Sequence, residues 1–236
     1  MAQQKNTPSP ELQGKFITDP LQFGKRLSKI RAYLFDWDGV FNDGYKNENG
    51  SSPFSEPDSM GINLLRFNHF LRKSTQPVLA ILSGEKNSAA FSLAKREHFQ
   101  DVYFSIKNKI DAVRHICARY QLELEQVAFV FDDVLDLSVA GSAGIRIMVP
   151  HASTSLLVDY AIRNELVDYV THHSGREHAV RESTELLMTV GGHYDETIRH
   201  RIEFTDTYQQ YLSQRNQVAT RFFTADTPGF KEVTEL

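Results

Sequence analysis

Apolar residues recur along this chain in short unbroken blocks, separated by stretches in which apolar positions return every three or four residues. The blocks are Ala32-Tyr33-Leu34-Phe35, Val78 to Leu82, Val102-Tyr103-Phe104, Val127 to Phe131 and Ile145 to Val149. Runs of this kind predict strands covered on both faces. The spaced stretches predict amphipathic helices from Ile62 to Leu71, Ser88 to His98 and Ile110 to Tyr120, the last with Ile110, Val113, Ile116 and Cys117 on one side. Strand and helix alternate, so the expected fold is α/β, with a doubly wound, mainly parallel, Rossmann-like sheet.

Three regions depart from that rhythm. Residues 1–29 are polar and carry Pro8, Pro10, Gly14, Pro20 and Gly24, which reads as an N-terminal extension or short helical lead-in. Between Gly39 and Ser59 the turn residues Asn42-Asp43-Gly44, Asn49-Gly50, Pro53 and Pro57 separate short β-compatible pieces, and predict a β-hairpin flap over about residues 40–58. After the expected domain of residues 30–190, the stretch 191–236 predicts an amphipathic helix from Tyr194 to Phe223, carrying Ile198, Ile202, Tyr208, Tyr211 and Leu212. A loose tail over Thr224 to Phe230 follows.

Composition narrows the class. With 236 residues, 41% hydrophobic and 24% charged, the chain is long enough to bury a substantial core. A formal net charge of -4 speaks against a dedicated nucleic-acid binder, which needs a basic face. Cys117 is the single cysteine and cannot form an intrachain disulfide, which suits a reducing cytoplasm. No stretch has the length and apolarity of a signal peptide or a membrane span, so a soluble cytoplasmic protein is expected.

Candidate chemistry lies where the strands end, because ligands of such sheets bind beyond the carboxyl ends of the strands. The first core strand runs into Asp36-Trp37-Asp38-Gly39, two acids flanking one residue. The second ends in Ser83-Gly84, and the fourth in Asp132-Asp133 with Asp136 one helical turn on. Lys109 starts the helix between the third and fourth. Each has a plainer use: Ser83 in a turn, Lys109 on a solvated helix, Asp132 and Asp133 as helix N-terminal acids. Together they supply what phosphoryl transfer requires. Magnesium takes one or two carboxylates plus a substrate phosphate, which Asp36 and Asp132 could provide from separate strands. A carboxylate can attack phosphorus, a second such as Asp38 can move protons, and a cation with Lys109 can offset the charge.

In this order the motifs resemble the haloacid dehalogenase superfamily of aspartyl-phosphate phosphatases. A narrower set is similar to its capless 3-deoxy-D-manno-octulosonate 8-phosphate phosphatase subfamily: Phe35 to Gly44, Phe54 to Ile62, Lys107-Asn108-Lys109-Ile110, Val167 to Thr171, Gly175, and Ala179-Val180-Arg181-Glu182. The likeness spans about Arg31 to Met188. It implies Asp36 as nucleophile and Asp38 as acid and base. Asp132 and the Asp38 backbone carbonyl would be magnesium ligands, and Ser83, Gly84 and Lys109 phosphate binders, with Asp43 at the substrate. It also implies a phosphorylated sugar acid of octulosonate or nonulosonate type as substrate, and a homotetramer in which the hairpin builds a central barrel.

Departures from the subfamily pattern bear on activity. Phe131 stands where glycine precedes the paired acids, Glu85 where arginine follows the Ser-Gly turn, and Ser174-Gly175-Arg176-Glu177-His178 where a glycine-rich stretch is usual. Arg176 or Arg181 could take over carboxylate recognition, given arginine's bidentate geometry. His172, His173 and His178 lie in a polar loop without the acid or cysteine spacing of a zinc site. The alternative to a working phosphatase is a catalytically impaired, regulatory homotetramer that keeps the fold. A phosphate-accepting receiver is disfavoured by chain order, because Lys109 precedes Asp132.

Overall fold

The computed structural model describes residues 12–234. In chain order the elements are β1 (Lys15–Phe16), α1 (Pro20–Leu27), β2 (Ala32–Asp36), α2 (Glu56–Lys73), β3 (Val78–Leu82), α3 (Ser88–Arg96), β4 (Asp101–Phe104), α4 (Lys109–Tyr120), β5 (Val127–Phe131), α5 (Leu137–Ala140), β6 (Ile145–Met148), α6 (Ser155–Arg163), β7 (Tyr169–Val170), α7 (Ala179–Gly191), α8 (Tyr194–Glu203), α9 (Asp206–Arg215), β8 (Arg221–Ala225) and β9 (Phe230–Glu232). They build one nine-stranded sheet in the order β1-β7-β6-β5-β2-β3-β4-β8-β9. The strands from β7 to β8 are parallel, and β1 and β9 pair antiparallel at the two edges. This is the expected α/β architecture with a mainly parallel sheet.

Alternation along each strand sends side chains into two cores. On one face Tyr33, Phe35, Ile81 and Val130 meet α1, α2, α3 and α7. On the other, Leu34, Leu82, Phe129 and Phe131 meet α4, α5 and α6. Burying one such side chain contributes roughly 1.5–3 kcal/mol, so the sheet's centre is the stiffest place on which to mount a site. β2 occupies that centre, with β5 on one side and β3 on the other.

Three expectations need correction. Residues 37–55 form a series of turns where a hairpin was expected. The Asn42 side chain takes the Gly44 amide at 2.9 Å, and Asn47 takes those of Asn49 and Ser51 at 3.0 Å each. These local bonds satisfy amides that a ladder would otherwise use. The single helix expected after Tyr194 is two helices, because Phe204 turns left-handed at φ 49° and Thr205 caps the next one. That expected helix also stops short of its predicted end, since Phe222 and Phe223 are buried in β8, which lies parallel to β4, and the tail is not loose, because Thr224 and Ala225 complete β8 and pair with Lys231 and Phe230 of β9. Of the expected N-terminal extension, residues 1–11 lie outside the described residues; the remainder joins the sheet through β1, and α1, where a short helical lead-in was expected, buries Phe23 and Leu27.

Candidate active site

β2 ends at Asp36, and the chain turns at once. Trp37 is buried and stacks on Phe41 at 4.7 Å, which anchors the turn in the core and leaves Asp36 and Asp38 beside a cleft of about 820 Å³. Gly39 has φ +85°, and a Cβ there would lie 1.9 Å from Asp132 Oδ2, so only glycine lets the β2 turn approach the acid at the end of β5. A Cβ on Gly175 would meet the Asn42 carbonyl oxygen at 2.1 Å. The turn leading into α7 therefore packs closely against the same loop.

The structure brings Asp36, Asp132 and Asp136 together, with one potential ligand atom from each within 4.8 Å of the others. Lys109 Nζ sits 2.7 Å from Asp36 Oδ1 and 2.6 Å from Asp136 Oδ1. Burial alone would depress this ammonium's pKa, but Asp36 and Asp136 outweigh it and hold the pKa above its ordinary value. Burial pushes the Asp136 carboxyl well above the usual carboxylate range, with the Asp36 charge adding to it. It raises Asp132 to about 7, against the His151 hydrogen bond. His151 Nε2 lies 2.9 Å from Asp132 Oδ2, and that bond holds the imidazole above its ordinary value.

A cation fits this set. Three buried carboxylates face one ammonium, and like charges at such range need a positive partner or shared protons. Asp132 Oδ1 is buried without a hydrogen-bond partner among the described residues. An all-oxygen donor set with an orphaned carboxylate oxygen suits a hard divalent ion such as magnesium.

The remaining expected residues are distributed unevenly. Asp38 lines the cleft, its Oδ2 2.5 Å from Lys46 Nζ and its Oδ1 bonded to Ser52 Oγ. Gly84, Glu85 and Asp43 line it as well. Ser83 is buried, and its hydroxyl is engaged in its own turn, donating to the Glu85 carbonyl at 2.8 Å. Arg176 is 79% exposed in its side chain and 3.9 Å from Asp43 Oδ2. Arg181 is directed elsewhere: its Nε bonds Glu185 at 2.7 Å, and it lines a separate cavity of about 330 Å³ with His173 and His178. Phe131 does not crowd the site, since it stacks on Phe129 in the core beneath. His151, Lys46 and Ser52 join the site without a sequence signal. Asp136 was visible as an acid one turn beyond Asp132 but carried no assigned role.

No family model matches the chain. Individual relatives do. The 3-deoxy-D-manno-octulosonate 8-phosphate phosphatase KdsC of Salmonella typhi is 30% identical over 175 residues, spanning 72% of this chain and 86% of that protein. The crystal structure of the phosphatase of the same name from Moraxella catarrhalis, in complex with magnesium ion, phosphate ion and KDO, superposes with a TM-score of 0.63 at 25% identity, covering 76% of this chain and 98% of that one. The Yersinia pestis phosphatase superposes with a TM-score of 0.60 at 26% identity, covering 72% and 86%. With the ordered motifs at one sheet edge and a buried acid cluster beneath them, the chain belongs to the 3-deoxy-D-manno-octulosonate 8-phosphate phosphatase family of the haloacid dehalogenase superfamily, whose members hydrolyse phosphoric monoesters.

Proposed function

We propose that this chain is a magnesium-dependent phosphatase that releases phosphate from a phosphorylated sugar acid, of octulosonate or nonulosonate type, through an aspartyl phosphate on Asp36. The observation that carries the reading is the Asp36, Asp132 and Asp136 cluster, with Lys109 bound between two of its members and Asp132 Oδ1 left unpartnered. Asp36, Asp132 and the backbone carbonyl of Asp38 would hold the ion, with Asp136 at hand. Such an ion neutralises phosphoryl charge and positions the phosphate.

An Asp36 carboxylate oxygen attacks phosphorus as the bond to the sugar oxygen breaks, and Asp38 gives that oxygen its proton. Asp38 then takes a proton from water, whose oxygen attacks the phosphorus and releases phosphate and the Asp36 carboxylate. Lys109, held charged by its two acids, screens the approach of the anionic substrate. Gly84 lines the same cleft, where its amide would hold a phosphoryl oxygen, while the Ser83 hydroxyl, which accepts the Glu85 amide at 3.3 Å and donates to the Glu85 carbonyl, keeps that turn in shape. Asp43, with Arg176 beside it, would meet the sugar acid. The M. catarrhalis relative's complex with phosphate and KDO supports a sugar acid as the organic part. From the family resemblance, and not from a hairpin barrel, since residues 37–55 form turns, we further infer a homotetramer, and a cytoplasmic location. No described helix is long and apolar enough to cross a membrane.

One observation favours the second reading, a catalytically impaired homotetramer. The exposed Glu85 brings a carboxylate to the cleft that would receive an anion. Phosphate release from a panel of phosphorylated sugars and sugar acids, with and without magnesium, separates the two. Turnover that needs magnesium and falls by roughly a thousandfold or more in Asp36→Asn is expected. Wild-type turnover no higher than that variant's across the panel overturns the phosphatase reading.

A further inference from the structure

Asp38 is held by a buried network in which the Ser52 proton can be placed. Its Oδ1 contacts Ser52 Oγ, and the Ser52 side chain also meets Trp37 Nε1 at 3.1 Å and Asn87 Nδ2 at 2.7 Å. Ser52, Trp37 and Asn87 are all at most 1% exposed. A hydroxyl has one proton and two lone pairs, and an indole N–H can only donate. The Asn87 amide has its orientation fixed from behind. Its Oδ1 caps α3 by accepting the amides of Ala89 at 3.0 Å and Ala90 at 3.2 Å, and it also accepts the Ser51 hydroxyl at 2.9 Å. Nδ2 must then point at Ser52. Both lone pairs of Ser52 are taken, and its one proton is left for Asp38.

From this geometry we infer that Ser52 is a positioning residue for Asp38 and that it commits Oδ1 permanently as an acceptor. The oxygen that exchanges a proton with the leaving group is Oδ2, on the side where Lys46 Nζ now lies at 2.5 Å. A proton on Oδ1 would face the Ser52 proton head on. For that exchange the Lys46 ammonium, which is on the loop and partly exposed, must give way to the leaving oxygen. In the transfer step the Oδ2–H bond breaks as the O–H bond of the product alcohol forms, and the Oδ2 electron pair returns to the carboxylate. The inference rests on the proposed acid and base role of Asp38, and it adds which oxygen works and what aims it.

The test compares two leaving groups. An alkyl phosphate, such as a sugar 5-phosphate or the octulosonate 8-phosphate, needs the acid's proton to leave. In p-nitrophenyl phosphate the phenolate leaves without one. Ser52→Ala is expected to lower kcat/KM for the alkyl phosphate by about 10- to 100-fold and for p-nitrophenyl phosphate by less than about threefold. Ser52→Thr, which keeps the hydroxyl, retains both within about threefold of wild type. Ser52→Cys keeps the volume with a weaker donor, and is read in the same way if Ser52→Ala does not fold. Equal losses on both substrates would show a packing role and overturn the inference, as would no loss on either. Asp38→Asn distinguishes the levels. If it cripples alkyl phosphate turnover while Ser52→Ala does not, the positioning role fails and the acid role stands. If Asp38→Asn turns over normally, both fail.

Discussion

Asp132 divides its two oxygens: Oδ2 accepts from His151, while Oδ1 stays buried and has no hydrogen-bond partner among the described residues. A ligand carboxylate pinned at one oxygen presents the other in a fixed direction, and losing such a pin typically costs about 10- to 100-fold in metal affinity. His151→Ala should therefore weaken magnesium binding by about that factor in a calorimetric titration of the cation-free protein, without substrate. Equal affinity would leave His151 without that role. Acidity adds a second expectation. Burial raises Asp132 from 3.8 to about 7, so below that pH the cation-free site holds a proton that magnesium must displace. Apparent magnesium affinity should rise about tenfold per pH unit below about 7 and level off above it, and an affinity that is flat between about pH 5.5 and 8.5 refutes the assignment. The sequence displayed Asp36, Asp38, Lys109 and Asp132 because each stands next to an apolar strand or opens a helix. It concealed His151, Lys46 and Ser52, because each reaches the site from a loop whose path depends on tertiary packing. The sequence offers Ser83 both as a turn residue and as a phosphate binder, because nothing in Ser-Gly-Glu discloses that its hydroxyl bonds the carbonyl two residues on.

Helices and strands were legible in proportion to how far each one's own residues determine it. β2, β3 and β5 follow their apolar blocks closely, since both faces of each are covered. The break between α8 and α9 escaped the periodicity because apolar residues continue across it. Its signal was the capping residue Thr205, whose hydroxyl accepts from the Tyr208 amide. α9 owes its position to packing: Tyr208 and Tyr211 meet Phe67 and Phe70 of α2 in a separate buried cluster. Tyr211 is fully buried, with its hydroxyl donating to the Asn63 carbonyl at 3.2 Å. Tyr211→Ala should cost about 3–5 kcal/mol in denaturant unfolding, as large aromatic truncations do. Tyr211→Phe, which loses only the hydrogen bond, should cost about 0.5–1.5 kcal/mol. Equal losses would mean that the hydroxyl, and not the ring, holds α9 in place.

At the scale of the molecule, a sequence reading centred on residues 30–190 recovered the middle of the sheet and missed both margins. β1 and β7 have two residues each, too short to show periodicity. The first three residues of β8 fall where the apolar spacing predicts the end of a helix, although Arg-Phe-Phe-Thr-Ala is a better strand than helix sequence. Removing residues 218–236 should destabilise the protein by roughly 3–6 kcal/mol, from the lost burial of Phe222 and Phe223. Unfolding in denaturant checks this, and an unchanged midpoint would show that β8 is an ornament of the sheet. The pairing of β8 with β4 also carries a consequence for the nascent chain. β4 is complete at Phe104, but the strand that covers its outer edge ends at Ala225. At about 5–20 residues per second, a ribosome needs roughly 6–24 s to make the intervening stretch. Throughout that interval an apolar strand beside the site has a bare hydrogen-bonding edge, which makes the half-made chain the form most exposed to misassociation and to capture by chaperones.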